Sequence, residues 1–196
     1  MKESNYKKLV YNTAIFAIGN FGSKVLTFLI VPLYTYVLTT AEYGVIDLFI
    51  TSLGMVIPFS TMMVNEALIR YVLGKELTPK EAASNCFAVF LFGAAISVLF
   101  TPLYKVAFDF DEYIWIFVAL LVLRTFNQVF SEYFRAVNQN VKFNIFGLIT
   151  TATILGFNVV FLLFLKLGIR GYLYATLLSA AVGALSVSYT HLRAHE

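Results

Sequence analysis

The chain has 196 residues, of which 60% are hydrophobic and 13% are charged. A soluble domain is apolar for roughly 45–50% of its residues and charged for about 25%, so this composition excludes an ordinary soluble domain and indicates an integral membrane protein. The net charge of +3, carried by scattered basic residues, predicts no nucleic-acid-binding surface, and the single cysteine, Cys86, excludes an intramolecular disulfide or a thiolate metal cluster.

The apolar residues come in long blocks that short polar segments separate. In lipid only a helix or a closed barrel satisfies its own backbone polar groups, and barrel strands would alternate apolar and polar residues at period two, which these blocks do not. We therefore predict an all-α membrane protein, a bundle of six transmembrane helices. The predicted spans are about 9–38, 45–73, 82–103, 113–137, 145–165 and 172–188.

The first span is interrupted within its own length. Gly19, Gly22 and Lys24 break its apolar pattern and Pro32 removes a backbone donor, so we expect a bent, discontinuous helix of the kind that transporters place around a substrate site. Three lysines precede the span, as in a signal peptide, but no small-residue cleavage site follows, so the span is predicted to be retained. Lys24 is a candidate anion contact, although its long side chain can instead reach the interface.

The second span carries three charged residues. Asp47 lies near its outer start, where the ordinary interpretation is a solvated helix-start carboxylate and the functional one is an ion-coupling role. Glu66 and Arg70 are four residues apart and can pair on one helical face. The alternative for Arg70 is that its side chain extends to the cytoplasmic headgroups.

Two local patterns predict helix ends and helix contacts. Thr78 is followed by Pro79 and, three residues after the threonine, by Glu81, which is the pattern of a capped helix start. Small residues recur every four positions in span six, at 175, 179 and 183, and in span five, at 152 and 156. Such faces let a neighbouring helix approach closely in a membrane.

The fourth span contains the residue around which the sequence is organised. Nine apolar residues from Trp115 to Leu123 lead directly into Arg124, which falls near mid-depth if the segment crosses a bilayer. Polar residues follow it at helical spacings of three and four, namely Asn127, Gln128, Ser131, Glu132 and Arg135. A guanidinium facing hydrocarbon costs at least ~2.5 kcal/mol, so we expect this stripe to line a cavity. The alternative is a structural ion pair between Arg124 and Glu132 or Glu66.

The loop lysines and arginines predict the orientation. With the N-terminus inside, nine basic residues fall on the cytoplasmic side and three, Lys105, Lys166 and Arg170, on the outer side. The cytoplasmic set is Lys2, Lys7, Lys8, Arg70, Lys75, Lys80, Arg135, Lys142 and Arg193. Because short cytoplasmic loops are enriched in Lys and Arg, a cytoplasmic N-terminus is predicted.

No motif in the chain supplies catalytic chemistry. The sequence contains no P-loop, HExxH, GxSxG or Cys/His metal set, so we predict no enzyme activity, no cofactor and no metal site. The DFDE run at 109–112 has the form of a metal-binding Asp-x-Asp pair. It falls in a predicted outer loop, where we interpret it as solvated.

The last nine residues, SYTHLRAHE, do not continue the helical pattern. They resemble the translated adapter sequence that ends truncated environmental reading frames, so 188–196 is expected to be a non-native tail, and His191 and His195 are given no functional weight. On this interpretation the natural protein continues beyond residue 187. The alternative is a genuine short cytoplasmic tail.

Three stretches carry a resemblance to a known family. The first span with its continuation, GNFGSKVLTFLIVPLYTYVLTTAEYGVIDL, the end of the second, NEALIRY, and the end of the fourth, EYFRAVNQNVKFNIFGLI, resemble the N-terminal half of bacterial polysaccharide flippases, the Wzx-like members of the MATE-related superfamily. The resemblance covers about residues 6 to 187. It implies that residues 1–187 are one of two six-helix lobes that enclose a cationic cavity.

The resemblance also implies a function. An undecaprenyl-pyrophosphate-linked oligosaccharide would be moved across the bacterial cytoplasmic (inner) membrane by alternating access, with membrane lipids, a polysaccharide polymerase and glycosyltransferases as partners. Arg124, Lys24 and Arg70, with Gln128 and Asn127, would bind the substrate. The acidic residues Glu66, Glu132 and Asp47 would pair with an arginine or carry a coupling proton. The alternatives are a cation-coupled drug or metabolite antiporter of the same superfamily, a non-transporting membrane scaffold, and a membrane-embedded glycosyltransferase.

Overall fold

The computed structural model describes residues 30–108 and 111–192, together with residues 13, 21, 22, 24, 25 and 28; it describes the side chains of all of these except 64–67, 73 and 187–192. This part of the chain is built from helices and contains no strand. Helix α1 covers residues 30–37. The helices that follow are α2 (Thr40–Thr61), α3 (Val64–Leu73), α4 (Pro79–Leu99), α5 (Thr101–Phe108), α6 (Ile114–Ala136), α7 (Asn140–Asn158) and α8 (Gly168–Leu192). A 3-10 turn, Asp111–Tyr113, precedes α6, and a π-helical segment, Val159–Phe164, extends α7.

Helix α6 is the centre of the bundle. It contacts each helix from α2 to α5 and both α7 and α8. Phe117, Leu120 and Leu121 on this helix are fully buried, and the Phe117 ring packs edge-on against Phe49 of α2 with 5.2 Å between ring centroids. The other helices are therefore arranged around the segment that carries Arg124.

Four helices are long and apolar enough to cross a membrane, within the residues that the structure describes. They are Thr40–Thr61, Pro79–Leu99, Asp111–Ala136 and Asn140–Phe164. Only 11% of the apolar window of Asn140–Phe164 is buried in the bundle, against 50% for Asp111–Ala136, so the outer helix presents its apolar side chains to lipid. The all-helical fold is confirmed for the described residues, and these four helices have the length and composition of membrane spans. The count of six spans stays a prediction, because most of the first span lies outside the described residues and α8, which corresponds to the sixth, is not among the four.

The second predicted span, 45–73, is two helices in the structure. Helix α2 ends at Thr61, and Met62 and Met63 both adopt left-handed backbone conformations (φ 49° and 50°) before α3 begins. The side chains of Ser60 and Thr61 donate hydrogen bonds to the carbonyls of Val56 and Pro58, at 3.3 Å each. Such bonds compete with the helical ladder, which Pro58 has already weakened by removing one backbone donor. The chain therefore turns here instead of continuing straight to residue 73.

Capping boxes mark two of the helix starts. At Thr78 the predicted pattern is confirmed: its backbone amide donates to the Glu81 carboxylate at 2.8 Å, and its hydroxyl accepts from the Glu81 amide at 3.3 Å. Thr39 and Glu42 form the same arrangement, so α2 begins at Thr40, five residues before the predicted start of the second span. The third predicted span, 82–103, is divided between α4 and α5.

The small-residue face of α8 packs against its neighbours as predicted. Ala175, Ser179 and Gly183 are all buried, and the Ser179 hydroxyl donates to the Thr150 carbonyl of α7 at 2.8 Å. Ala152 and Gly156 of α7 are exposed instead, and a Cβ on Gly156 would meet no atom within 4 Å. Small residues at a spacing of four mark a helix contact in α8 only, because α7 turns that face away from the bundle.

We predict that Gly93→Ala destabilises the bundle. A Cβ at position 93 would lie 2.5 Å from the Ser60 carbonyl oxygen, so α2 and α4 would have to separate. Overpacking of this kind costs about 1–3 kcal/mol. In a chain of this size each kcal/mol lowers the thermal midpoint of unfolding by about 2–4 °C. Circular dichroism of the detergent-solubilised protein measures the midpoint. Gly54→Ala is the matched control, since a Cβ there meets nothing within 4 Å; equal midpoints for the two variants would contradict the prediction.

Candidate functional site

Arg124 lies near the middle of the central helix. It is the eleventh of the 23 residues of α6, which at 1.5 Å per residue puts it about 15 Å from the Ile114 end and about 18 Å from the Ala136 end. The hydrocarbon core of a bilayer is about 30 Å thick. The half-buried Arg124 side chain therefore belongs to the middle of α6, and its position at mid-depth in a bilayer stays a prediction.

A cavity of about 330 Å³ opens beside this side chain, between α6, α7 and α8. We call it the Arg124 cavity. Its polar lining comes from three helices and consists of Arg124, Asn127, Gln128 and Ser131 of α6, Thr150 of α7, and Thr176 and Ser179 of α8. Arg124 is the one charged residue of this lining. The cavity thus combines a permanent positive charge with hydroxyl and amide groups that can replace the hydrogen bonds of water.

Two hydrogen bonds between helices hold the cavity wall. The Asn127 side-chain nitrogen donates to the Ala180 carbonyl of α8 at 2.9 Å, and the bond from Ser179 to Thr150 ties α8 to α7. The contact at Gly183 is close, because a Cβ on it would lie 3.0 Å from the Asn127 nitrogen and would press on this amide. The Asn127 side-chain oxygen is buried and has no hydrogen-bond partner among the described residues.

The carboxylate that the sequence offered as a partner for Arg124 is engaged elsewhere. Glu132 forms an ion pair with Arg135, one turn along the same helix, at 2.9 Å, and the Arg135 guanidinium also lies 5.6 Å from the centre of the Phe143 ring. None of the three ion pairs found among the described side chains includes Arg124. The side chain of Glu66 lies outside the described ones, so its predicted pairing with Arg70 or Arg124 stays a prediction.

The structure brings only part of the predicted substrate-binding set together. Asn127 and Gln128 share the Arg124 cavity. Lys24 and Arg70 are exposed and do not contribute to its lining, since Arg70 lies in the last turn of α3, beyond the break at Met62 and Met63. The cationic character of the cavity therefore comes from Arg124 alone within the described lining.

A second cavity, of about 360 Å³, contains Asp47. We call it the Asp47 cavity. Tyr34 of α1, Tyr43 of α2 and Tyr172 of α8 line it, and the rings of Tyr34 and Tyr172 meet edge to face at 5.2 Å between centroids. Tyr43 and Asp47 are four residues apart, a spacing that predicts that they share one face of their helix. The other two tyrosines come from segments distant in sequence, which no spacing links to Asp47.

The lining residues of the two cavities indicate what each could bind. Among the described residues no group of three or more His, Cys, Asp or Glu side chains could hold a metal ion. What the arrangement can do is bind: the Arg124 cavity suits an anion, since its guanidinium stays protonated and donates several hydrogen bonds in a fixed plane. No family model, curated protein or solved structure matches this chain.

We predict that the Arg124 cavity admits water and favours anions. In a Cys86→Ala background, which removes the single cysteine, a Gln128→Cys thiol should react with a negatively charged methanethiosulfonate reagent at least about tenfold faster than a Leu120→Cys thiol, because thiol reactivity follows exposure and local positive charge. Leu120 is fully buried in the core. The rates are measured by mass spectrometry of the protein in lipid nanodiscs.

The charge dependence supplies the control for this labelling experiment. The Gln128→Cys thiol should react faster with the anionic reagent than with a cationic reagent of the same size, and Arg124→Gln should remove that preference. Equal rates for positions 128 and 120 would show that the cavity is closed to solvent and contradict the prediction.

Proposed function

We propose that this chain is part of a lipid-linked oligosaccharide flippase, which moves undecaprenyl-pyrophosphate-linked repeat units across the bacterial cytoplasmic membrane by alternating access. The observation that supports the proposal is the Arg124 cavity, where a guanidinium near the middle of α6 has hydroxyl and amide groups around it and no carboxylate partner among the described side chains. Ionisable residues inside the membrane are costly and mark substrate pathways.

The chemistry of the cavity fits a diphosphate bearing sugars. A diphosphate cannot be solvated by lipid tails, and a guanidinium binds two of its oxygens at once with charge-assisted hydrogen bonds. Asn127, Gln128 and the hydroxyl side chains add neutral donors and acceptors for further phosphate oxygens or sugar hydroxyls. The volume of about 330 Å³ lies within the range of about 300–1,000 Å³ for small-molecule sites.

The cycle that we propose is driven by charge. The N-terminus lies in the cytoplasm, and the substrate enters from that side, where glycosyltransferases complete it, and leaves to the outer side, where a polymerase consumes it. Moving one elementary charge across the membrane is worth ~2.3 kcal/mol per 100 mV, which is enough to bias the direction. Glu66 and Asp47 are the candidates for carrying a coupling proton, since Glu132 is engaged by Arg135.

A second candidate is a cation-coupled antiporter of drugs or metabolites. The Asp47 cavity favours it, because a carboxylate among aromatic rings suits a positively charged substrate. The Arg124 cavity argues against it as the main function, since a permanent positive charge repels such a substrate. A scaffold in which every charge is paired is also less favoured, because Arg124 has no carboxylate partner among the described side chains.

We predict that Arg124→Ala weakens binding of undecaprenyl diphosphate by at least about tenfold, since hydrogen bonds to a charged group contribute about 1.5–3 kcal/mol each. Arg124→Lys should give an intermediate affinity, because an ammonium keeps the charge and loses the planar fork. Equilibrium titration of the chain in nanodiscs of neutral lipid measures both. Arg170→Ala is the matched control, since Arg170 is exposed outside both cavities and pairs with Glu112.

The same titrations separate the two candidate functions. For a flippase, binding of undecaprenyl diphosphate depends on Arg124 and tetraphenylphosphonium binds weakly or not at all. For an antiporter, tetraphenylphosphonium binds with an affinity that depends on Asp47 and is unchanged or improved by Arg124→Ala. Undecaprenyl diphosphate binding that is as tight in Arg124→Ala as in the unsubstituted chain contradicts the flippase proposal.

A further inference from the structure

The Asp47 cavity has the opposite charge to the Arg124 cavity. Asp47 is the one charged residue of its described lining, and no described lysine or arginine forms an ion pair with it. Asp47 is the eighth of the 22 residues of α2, which puts it about 10 Å from the start of that helix. Asp47 is exposed in this structure, so its carboxylate is accessible to a positively charged or hydrogen-bond-donating group of a ligand.

The walls around Asp47 favour a single positive group over a neutral sugar. Apart from the carboxylate, the polar groups are the hydroxyls of three tyrosines and two threonines, and the remaining lining is aliphatic, namely Ile30, Val31, Ile46, Ile50, Ile154 and Leu155. A neutral substituent of a saccharide placed beside Asp47 would leave the carboxylate without a counter-charge among these aliphatic side chains. An ammonium group needs only the carboxylate and the aromatic rings.

The two cavities are neighbours. Thr150 and Ile154 of α7 line both of them. Tyr172 lines the Asp47 cavity and lies within electrostatic range of both Arg124 and Asp47. The two cavities are therefore adjacent, on either side of a shared wall to which two side chains and one tyrosine ring contribute.

We infer that the two cavities together hold a zwitterionic ligand, with its diphosphate at Arg124 and an ammonium group of its saccharide at Asp47. Resting on the proposed function, this inference names the substrate class as lipid diphosphates whose saccharide carries a free amino group. The Asp47 carboxylate selects that group, and Arg124 contributes affinity that all lipid diphosphates share.

Two synthetic probes that differ by one acetyl group test the inference. They are farnesyl-diphosphate-linked glucosamine, titrated below the pKa of its amine, and farnesyl-diphosphate-linked N-acetylglucosamine, which has no positive charge. The unsubstituted chain in neutral nanodiscs should bind the amino probe about five- to tenfold more tightly. Asp47→Asn should abolish this preference while leaving the affinity for the N-acetyl probe within about twofold, and Asp47→Glu should retain part of the preference.

The control variant is Asp111→Asn, which removes an exposed carboxylate that pairs with Lys105 outside both cavities and should keep the preference intact. Equal affinity of the unsubstituted chain for both probes overturns the inference, and so does a preference that survives Asp47→Asn. If Asp47→Asn binds neither probe, the inference is also overturned, since Asp47 would then be needed for folding or for binding the diphosphate.

Failure of the proposed function gives a different result. In that case Arg124→Ala does not weaken binding of the N-acetyl probe, and this result does not depend on whether the chain prefers the amino probe. Free glucosamine provides the last comparison: if it binds as tightly as the amino probe, the two cavities do not act on one ligand and the inference fails.

Discussion

The cost of keeping a guanidinium away from water constrains the whole bundle. Arg124 sits about 15 Å from one end of the central helix, where a charge facing hydrocarbon would be destabilising by at least ~2.5 kcal/mol. Polar groups of α6, α7 and α8 line the cavity beside it, and no carboxylate among the described side chains pairs with it.

Close helix packing is what makes the cavity possible. Gly183 brings α8 against Asn127 and Thr150, and hydrogen bonds from Asn127 and Ser179 cross the interfaces to α8 and α7. On the other side of α6, Gly93 lets α4 approach the Ser60 carbonyl of α2. In a membrane such contacts replace the hydrophobic driving force, because lipid tails are as apolar as leucine. The wall is thus rigid where polar groups must keep fixed positions toward a ligand.

Opposite charges in adjacent cavities give the bundle a polarity along its interior. The positive charge lies near mid-depth, while Asp47 lies nearer the end at which α2, α6 and α8 begin. In the proposed orientation that end faces outward, so a diphosphate leaving Arg124 would move toward a carboxylate that repels it, while an attached ammonium group would be attracted to the same carboxylate. A saccharide with a free amine would therefore meet a lower electrostatic barrier than a neutral one.

The sequence by itself determined the features that depend on neighbours within one or two helical turns: the all-helical class, the position of Arg124 near the middle of its helix, the capped start at Thr78 and the small-residue face of α8. Tertiary structure alone decided which polar residues share a space. Arg70 lies beyond the helix break after Thr61 and does not line the Arg124 cavity, and Glu132 forms its ion pair with Arg135. The Asp47 cavity draws its three tyrosines from α1, α2 and α8, and no spacing rule links residues 34, 43 and 172. The physical reason is that helix periodicity fixes a residue's face on its own helix, whereas helix packing fixes what that face meets.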